Sequence, residues 1–381
     1  MILPPEAISA ICSYYGVKEE RNVENLLIFS EIRTLEQSDV CVINHSSLTS
    51  NSHPPRSLFC KQASIERLKK VFSKSEEGWD ISFKSFLNEQ VFLSDYSSKL
   101  SKGTIPRCVY TSKAPDRFSD SHTFLTITEK ISSDDYKEYK TLTTTQVKSA
   151  LSWLAAFHKT FWMRSSFSRL FPHGAWWRKV LRPTVNYKSI PDVFTRLCKS
   201  IPSFSKVDTP ENYSLIQCVA KNIDVIHNSR PNTLVHGDFK TSNIFFRASD
   251  KEVMAIDFQW SGGGNCAADV AYLLAGGVQY EDLNEELLLD HYYNELTSSQ
   301  DIRDTYSRES FLLSYELELL CYYTTALPYL LKDLTPTICL ENLTKYGWLT
   351  HEFDERVTLW LTERALLATK NLIKERIITL N

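Results

Sequence analysis

Two neighbouring segments, Leu234-Val-His-Gly-Asp-Phe-Lys-Thr-Ser-Asn-Ile-Phe-Phe246 and Val253-Met-Ala-Ile-Asp-Phe-Gln-Trp260, carry the strongest structural signal of this chain. The first places Asp238 and Asn243 on a short loop between two apolar runs, and the second ends an apolar run with Asp257. Phosphoryl transfer from a nucleotide needs such a set, because one carboxylate orients the acceptor hydroxyl while an amide and a second carboxylate hold Mg²⁺. The two segments therefore predict a phosphotransferase with a kinase-like fold.

Each polar side chain of these segments suits one role. Asp238 is the candidate catalytic base, because a carboxylate beside a hydroxyl aligns it for in-line attack and takes its proton. Asn243 and Asp257 are the candidate metal ligands, since Mg²⁺ prefers oxygen ligands. Lys240 is the candidate for offsetting charge on the transferred phosphoryl group, and His236 is expected to brace the loop without transferring a proton. The structural alternatives are that Asp238 caps a turn, that Asp257 faces solvent on a strand, and that Lys240 is a solvated loop lysine.

The composition describes a folded protein of a reducing compartment. With 381 residues, of which 43% are hydrophobic, the chain is long enough for two lobes. A formal net charge of −3 gives no reason to expect nucleic acid or a membrane surface as partner, and no obligate protein partner is evident. Nine cysteines without a Cys-x-x-Cys pair, and no signal-peptide pattern, predict a cytoplasmic location. The apolar stretch 311–331 carries Glu316 and Glu318, which favours a buried helix over a membrane span.

A small β-rich half followed by a larger helical half predicts an α+β arrangement. Strand-like runs lie at 25–33, 39–44, 56–62, 108–110 and 124–128. Helical spacing is found at 5–15, 65–72 and 83–100, and it dominates from Thr144 onward apart from the motif region. The change near residues 129–134 predicts an N-terminal nucleotide-binding lobe at 1–131 and a C-terminal catalytic and substrate-binding lobe at 132–381.

The motif region resembles the aminoglycoside phosphotransferase and choline kinase superfamily, and most closely its ecdysteroid-kinase-like (CHK kinase-like) branch. The resemblance rests on His236-Gly-Asp238, Ile256-Asp-Phe-Gln259, Asp269-Val-Ala-Tyr-Leu-Leu274 and Leu154-Ala-Ala-Phe-His-Lys-Thr-Phe-Trp162. It implies a two-lobed protein-kinase-like fold, ATP as phosphoryl donor with GTP as an open alternative, and Mg²⁺. It also implies that Asp269 anchors the backbone of the catalytic loop. The histidine of the last motif, His158, is interpreted as a core residue.

The same resemblance implies residues in the N-terminal half. In the kinase fold a strand lysine pairs the nucleotide phosphates and is held by a helix glutamate, and these are implied to be Lys61 and Glu89. The implied hinge, where backbone groups would meet adenine, lies near Glu129. One stretch departs from the family pattern, because the phosphate-covering loop is normally rich in glycine, whereas Thr34-Leu-Glu-Gln-Ser-Asp-Val40 has none.

A small hydroxylated molecule is the predicted acceptor, because Asp269 follows Asp257 too closely for the long segment on which a peptide substrate of a protein kinase lies. The run Ser261-Gly-Gly-Gly-Asn265 is predicted to form a tight turn near the acceptor site.

Two interpretations are open for the aromatic and acidic residues of the helical half. They form either a pocket for a cation or an ordinary core with a solvated acidic helix face. The residues are Tyr280, Tyr292, Tyr293, Tyr322, Tyr323, Trp348, Glu281, Asp282, Glu285 and Glu286. The alternative function is a kinase-like protein that binds nucleotide without turnover.

Overall fold

The computed structural model describes residues 3–15, 27–35, 37–45, 57–71, 76–113, 122–163, 167, 169–335 and 355–379. The chain forms two compact units. The N-terminal unit consists of Met1–Tyr136 and Met254–Gln259, and the C-terminal unit consists of Lys137–Val253 and Trp260–Asn381. The predicted single boundary near residues 129–134 differs from this division, because the short segment 254–259 belongs to the N-terminal unit.

Side chains of the N-terminal unit hold the segment Met254–Gln259. Asn88 donates hydrogen bonds to the main-chain carbonyl oxygens of Phe258 at 3.4 Å and Gln259 at 3.1 Å. The ring of Phe92 stacks on that of Phe258, with centroids 3.9 Å apart. These contacts join residues far apart in the sequence, so periodicity and composition do not reveal them.

The N-terminal unit combines a five-stranded sheet with three helices in its described part. Its strands are β1 Leu27–Thr34, β2 Asp39–His45, β3 Leu58–Ser64, β4 Cys108–Thr111 and β5 Thr123–Glu129. Its helices are α1 Pro5–Tyr15, α2 Ile65–Val71 and α3 Glu76–Val91. The sheet is antiparallel, with strand order β1-β2-β3-β5-β4. The predicted elements occur here, although the helix predicted at 83–100 is α3 at Glu76–Val91, followed by a π-helical segment Phe92–Tyr96 and a 3₁₀ turn Ser97–Lys99. Residues 25, 26, 56 and 72 of the predicted runs lie outside the described residues.

The sheet separates two apolar cores. One lies under α1 and contains Leu3, Ala7, Ile11, Leu27, Cys41, Ile43, Leu58, Cys60, Leu125 and Ile127. The other lies under α2 and α3 and contains Ala63, Ile65, Leu68, Phe83, Phe86 and Phe124. Successive side chains of a strand point to opposite faces. Cys60 therefore faces the first core, while its neighbour Lys61 faces α3, which carries Glu89.

The C-terminal unit is mainly helical, as predicted. Its helices are α4 Thr144–Thr160, α5 Ile190–Ser200, α6 Pro210–Lys221, α7 Ile223–Ile226, α8 Ala267–Gly276, α9 Glu285–Leu296, α10 Gln300–Arg303, α11 Arg308–Tyr329 and α12 Glu355–Lys374. The remaining strands are β6 Tyr136–Lys137, β7 Thr233–Val235, β8 Ile244–Arg247, β9 Val253–Ala255 and β10 Gly262–Gly264. The chain passes between the units three times, within β6, within β9 and between Gln259 and Trp260.

Local sequence explains the helices that position the site. A capping box begins α4, because Thr143 and Gln146 satisfy each other's exposed backbone N–H groups. Residues 267–275 of α8 are all buried, which agrees with the nearly continuous apolar sequence of this helix. The predicted buried helix at 311–331 corresponds to α11, which contains Pro328 near its end. In the part of the chain that the structure describes, no helix is long and apolar enough to cross a membrane.

The run Ser261–Asn265 is not the predicted tight turn. Its three glycines form β10, which pairs antiparallel with β7. A Cβ atom on Gly262 would lie 2.5 Å from the carbonyl oxygen of Phe171 and 2.6 Å from the backbone nitrogen of Gly174. Glycine is needed here because another backbone segment approaches the strand closely, and not because the chain reverses.

Candidate active site

The loop between β7 and β8, residues 236–243, is the catalytic loop of the candidate site, and it is fastened by its backbone. The carboxylate of Asp269 accepts hydrogen bonds from the backbone N–H groups of His236 at 2.7 Å and Gly237 at 2.9 Å. Gly237 has φ +80°, and a Cβ atom there would lie 2.1 Å from the carbonyl oxygen of Trp260. No other residue fits this position. The contact with Asp269 is the one that the family resemblance implies for this residue.

Asp269 is held in turn by a buried histidine. His158 Nε2 lies 3.1 Å from the Asp269 carboxylate, and Nδ1 lies 2.7 Å from the Tyr292 hydroxyl. Burial by itself would raise the pKa of Asp269, but hydrogen bonding to His158, the charges of His158 and His236, and the Gly237 N–H hold it below its usual value. His158 is buried, as expected of a core residue, and it also orients the anchoring carboxylate.

Asp238 is almost completely buried, and both of its carboxylate oxygens are hydrogen-bonded. Oδ2 accepts from Lys240 Nζ at 2.9 Å and from Asn243 Nδ2 at 3.2 Å. Oδ1 accepts from the hydroxyl of Tyr272 at 3.2 Å. Burial raises the pKa of Tyr272 well above its usual value, and the charge of Asp238 adds to this effect, so the hydroxyl keeps its proton. Tyr272 lies within the motif Asp269–Leu274, but no site role for it is predicted from the sequence.

Asn243 and His236 complete the loop. The side-chain nitrogen of Asn243 also donates to the main-chain oxygen of Asp238 at 2.9 Å, which directs its side-chain oxygen away from these contacts. His236 accepts a hydrogen bond from the Asp238 N–H through Nδ1 at 3.3 Å. The ring of His236 is buried and packs edge-on against Phe239. In this arrangement the histidine orders the loop, and the asparagine has a side-chain oxygen to offer a metal ion.

The N-terminal unit brings together a second group of predicted residues. Lys61 Nζ donates to Glu89 at 2.9 Å and to Asp257 at 3.4 Å. Burial alone would lower the pKa of Lys61, but the charges of Asp257 and Glu89 raise it above its usual value, so the ammonium group stays charged. For Glu89, burial raises the pKa, and the charge of Lys61 opposes this rise. The lysine is therefore fixed by two carboxylates, one from α3 and one from the segment after β9.

Asp257 has an unusual backbone. Its φ of +66° lies in the left-handed region, which residues other than glycine seldom adopt. The bonds from Asn88 to the next two carbonyl oxygens hold the chain in this conformation. Strained conformations of this kind concentrate at functional sites. Here the left-handed conformation sets the direction of the Asp257 carboxylate, two residues after the end of β9.

Comparison with known proteins agrees with the motifs. The sequence profile described as the Ecdysteroid kinase-like family matches residues 82–302, which is more than half of the chain. The chain belongs to the ecdysteroid kinase-like family. The resemblance inferred from the motifs is thereby confirmed. No curated protein sequence matches the chain significantly.

The fold of this family member is similar to that of a solved kinase structure. It is similar to a choline kinase from Cryptosporidium parvum, with 13% identity, a TM-score of 0.51 and 99% of each chain covered. An aminoglycoside phosphotransferase from Alicyclobacillus acidocaldarius matches with 12% identity and a TM-score of 0.47, covering 94% of this chain and 97% of that one. An ethanolamine kinase from Plasmodium vivax matches with 12% identity and a TM-score of 0.45, covering 97% and 90%. The likeness to the choline kinase confirms the α+β, kinase-like fold.

In this ecdysteroid kinase-like protein, two segments of the N-terminal unit that the resemblance assigns to nucleotide binding, the hinge near Glu129 and the stretch 34–40, make hydrogen bonds within the unit. The backbone N–H of Glu129 donates to the Arg107 carbonyl at 2.9 Å, so a contact with adenine would have to use other groups of this segment. In the glycine-free stretch 34–40, Arg67 binds the Asp39 carboxylate at 2.7 Å and the carbonyl oxygen of Leu35. Hydrogen bonding to Arg67 lowers the pKa of Asp39. Residue 36 of this stretch lies outside the described residues.

Among the described residues, several of the aromatic and acidic side chains that could form a cation pocket have other partners or lie in the core. Glu281 pairs with Arg356, and Glu285 pairs with Arg364 at 2.7 Å. Asp282 accepts hydrogen bonds from Thr144 at the start of α4. Tyr292 and Tyr323 are buried in the core, and Trp348 lies outside the described residues. These groups serve the packing of the unit, in agreement with the simpler of the two interpretations.

Proposed function

We propose that this protein is an ATP- and Mg²⁺-dependent phosphotransferase that moves a γ-phosphoryl group to a hydroxyl group of a small molecule. The observation that carries the proposal is the bonding of Asp238, which is buried and held by Lys240, Asn243 and Tyr272 on a loop anchored through Asp269. A base needs such fixed orientation to meet a hydroxyl proton in line with the reaction.

The C-terminal unit supplies the proton transfer. As the acceptor oxygen forms its bond to the γ-phosphorus, the bond between that phosphorus and the bridging oxygen breaks, and ADP leaves with the electron pair. The acceptor proton passes to Asp238, a step that typically contributes about 10² to 10⁴ in rate. Lys240, bonded to the same carboxylate, offsets negative charge on the transferred group.

The N-terminal unit supplies nucleotide binding. Lys61 is assigned to the nucleotide phosphates, because Glu89 and Asp257 keep it charged and in one place. The donor set suits a hard cation, since Asn243 offers an amide oxygen and Asp257 a carboxylate. When bound, Mg²⁺ would neutralise charge on the phosphates. The metal roles of Asn243 and Asp257, and the adenine contact near Glu129, are parts of the proposal.

The second candidate is a kinase-like protein that binds nucleotide or a partner without turnover. It is supported by the stretch 34–40, which lacks glycine and in which Arg67 holds both Asp39 and Leu35. Backbone N–H groups approach phosphate most closely where glycine leaves room for them. Weak nucleotide affinity with the catalytic loop intact would favour this second candidate.

ADP formation from Mg·ATP, measured across a panel of hydroxylated small molecules, tests the proposal. We expect turnover that requires Mg²⁺ and falls by at least about 10²-fold in Asp238→Asn. Asp224→Asn is the matched control, because the Asp224 side chain is 86% exposed and pairs only with Lys179 among the described residues. Nucleotide binding without turnover on any acceptor would support the second candidate and contradict the first.

A further inference from the structure

Arg182 of the C-terminal unit lies among three aromatic rings. Its guanidinium carbon is 4.9 Å from the ring centroid of Trp260, 5.2 Å from that of Trp176 and 5.8 Å from that of Tyr329. Rings in this arrangement attract a cation through the negative charge density of their faces. In this protein the chain's own guanidinium occupies the position between the rings, so a second cation would meet like charge there.

The guanidinium of Arg182 has no polar partner among the described residues. Its Nε–H group is buried without a hydrogen bond, and no carboxylate pairs with the side chain within the described ranges. Arg178, four positions earlier, shows the contrast. It binds both carboxylate oxygens of Glu318 at 2.6 Å and the Ser229 hydroxyl at 2.9 Å. Arg182 is half-buried, and a guanidinium with such reduced contact with water normally acquires polar partners, so its donors are available to a group that the described residues do not supply.

Two aromatic side chains connect Arg182 with the proposed base. The ring of Trp176, which contacts Arg182, packs edge-on against Tyr272 with centroids 6.1 Å apart. Tyr272 donates its hydroxyl to Asp238. Burial lowers the pKa of Arg182, and the negative charge of Asp238 is among the influences that oppose this effect. Contacts thus run continuously from Arg182 through Trp176 and Tyr272 to Asp238 within the C-terminal unit.

We propose that Arg182 is the anion-binding residue of the acceptor site. The acceptor would present an oxyanion to it, either a carboxylate-like group that it brings or the phosphoryl group that it receives, while Trp176, Trp260 and Tyr329 contact its apolar body. A planar guanidinium with five N–H donors matches both kinds of oxyanion in a bidentate manner. That the anion belongs to the phosphoryl acceptor rests on the proposed function, whereas the presence of an anion site at Arg182 does not. Cationic acceptors are disfavoured at this position.

Anion binding can be measured without turnover. We would titrate inorganic phosphate and, separately, benzoate, and follow tryptophan fluorescence or ligand-observed NMR, with benzamide and benzylammonium as neutral and cationic counterparts at constant ionic strength. We expect the anions to bind in preference to their counterparts. Arg182→Gln should raise the Kd for the anions by at least about tenfold, and Arg182→Lys should raise it less, because the charge remains while the planar fork is lost.

The matched control is Arg308→Gln, because Arg308 is an exposed arginine of the same unit that pairs with Asp290. It should bind the anions as wild type does. Thermal unfolding of each variant verifies that the unit is folded, and Arg182→Lys keeps the test decisive if Arg182→Gln is poorly folded. Equal anion binding in wild type and both Arg182 variants would overturn the proposal, whether or not the protein turns over ATP.

Activity measurements identify the source of the oxyanion. Hydroxy acids would be compared as acceptors with the corresponding hydroxy amides. If the acceptor brings the anion, wild type should favour the acid in kcat/KM by about tenfold or more, and Arg182→Gln should abolish this preference. If the anion is the transferred phosphoryl group, acid and amide should react alike, and Arg182→Gln should lower kcat for both. Anion binding without any turnover would contradict the proposed function and leave the anion site standing.

Discussion

The hydroxyl of Tyr272 donates a hydrogen bond to Oδ1 of Asp238 over 3.2 Å, from a position three residues after Asp269 on α8. Residues three apart lie on the same face of a helix. One face of α8 therefore fixes the catalytic loop twice, because Asp269 holds its backbone and Tyr272 holds its reactive carboxylate. The precision of the proposed base thus depends on a helix that is buried along its whole length.

Removing the Tyr272 hydroxyl should slow the chemical step. In Tyr272→Phe the ring remains packed against Trp176, Trp177 and Tyr322, so the fold should persist. A hydrogen bond to a charged group is worth about 1.5–3 kcal/mol, and its loss should lower kcat by roughly tenfold or more with little change in the KM for ATP. Steady-state kinetics verify this. An unchanged kcat would show that Lys240 and Asn243 orient Asp238 sufficiently.

Replacing Lys61 should separate nucleotide binding from stability. In Lys61→Met the stabilisation of the protein by Mg·ATP should disappear from thermal-shift titrations, and the buried Glu89 should lose its compensating charge. The double variant Lys61→Met/Glu89→Gln should recover stability without recovering nucleotide binding. Lys84→Met is the control, since Lys84 is a lysine of the same unit that lies on α3 with Glu89 but is about half exposed and pairs with Asp80. Nucleotide stabilisation that survives in Lys61→Met would exclude a phosphate role for this lysine.

The sequence predicts well where neighbours along the chain decide the geometry. Asp238, Lys240 and Asn243 lie within one loop, so their meeting follows from the spacing of the motif. The pairing of Lys61 with Glu89 was implied by the family resemblance, and strand alternation places Lys61 on the face of the sheet that α3 covers. The elements of the N-terminal sheet are likewise predicted, because each strand is a short apolar run between polar segments.

The sequence predicts less where contacts are long-range. Tyr272 looks like one more apolar residue of a buried helix, and only the packed structure shows its hydroxyl at Asp238. Arg182 follows no motif, and its environment comes from three separate segments. The prediction of a tight turn at Ser261–Asn265 is wrong because glycine serves close backbone contact as well as turns. The start of α3 was hidden because the polar residues near Glu76 obscure the apolar spacing.

The anchoring carboxylate should contribute strongly to stability. Asp269→Asn places an amide where the N–H groups of His236 and Gly237 need an acceptor, and loss of a buried charge contact of this kind costs about 3–5 kcal/mol. Because the pKa of Asp269 is lowered in the folded protein, its contribution is present above the usual aspartate pKa of about 3.9 and is lost as the pH falls through the folded value. Urea unfolding of wild type and variant at pH 7, and again at about pH 4 and about pH 3, measures both effects. Equal stability of wild type and variant at pH 7 would contradict the anchoring role.

A second histidine should make stability depend on pH in a higher range. His227 accepts a hydrogen bond from the Lys179 N–H through Nδ1 at 2.9 Å, and Nε2 lies 2.9 Å from the Thr324 hydroxyl, so the neutral ring with hydrogen on Nε2 fits the site. Burial, and then the charges of Arg178 and Lys179, lower its pKa to about 3.

The unfolded chain binds a proton at His227 near pH 6.5, and the folded chain does not until about pH 3. Stability from this residue is therefore complete above about pH 6.5 and falls below it, by at most about 1.4 kcal/mol per pH unit. Urea unfolding between pH 7.5 and 5, in which His227→Gln should have a shallower slope than wild type, measures the effect. NMR of the folded protein should show the His227 ring untitrated over this range, and a titration near pH 6.5 would disprove the neutral assignment.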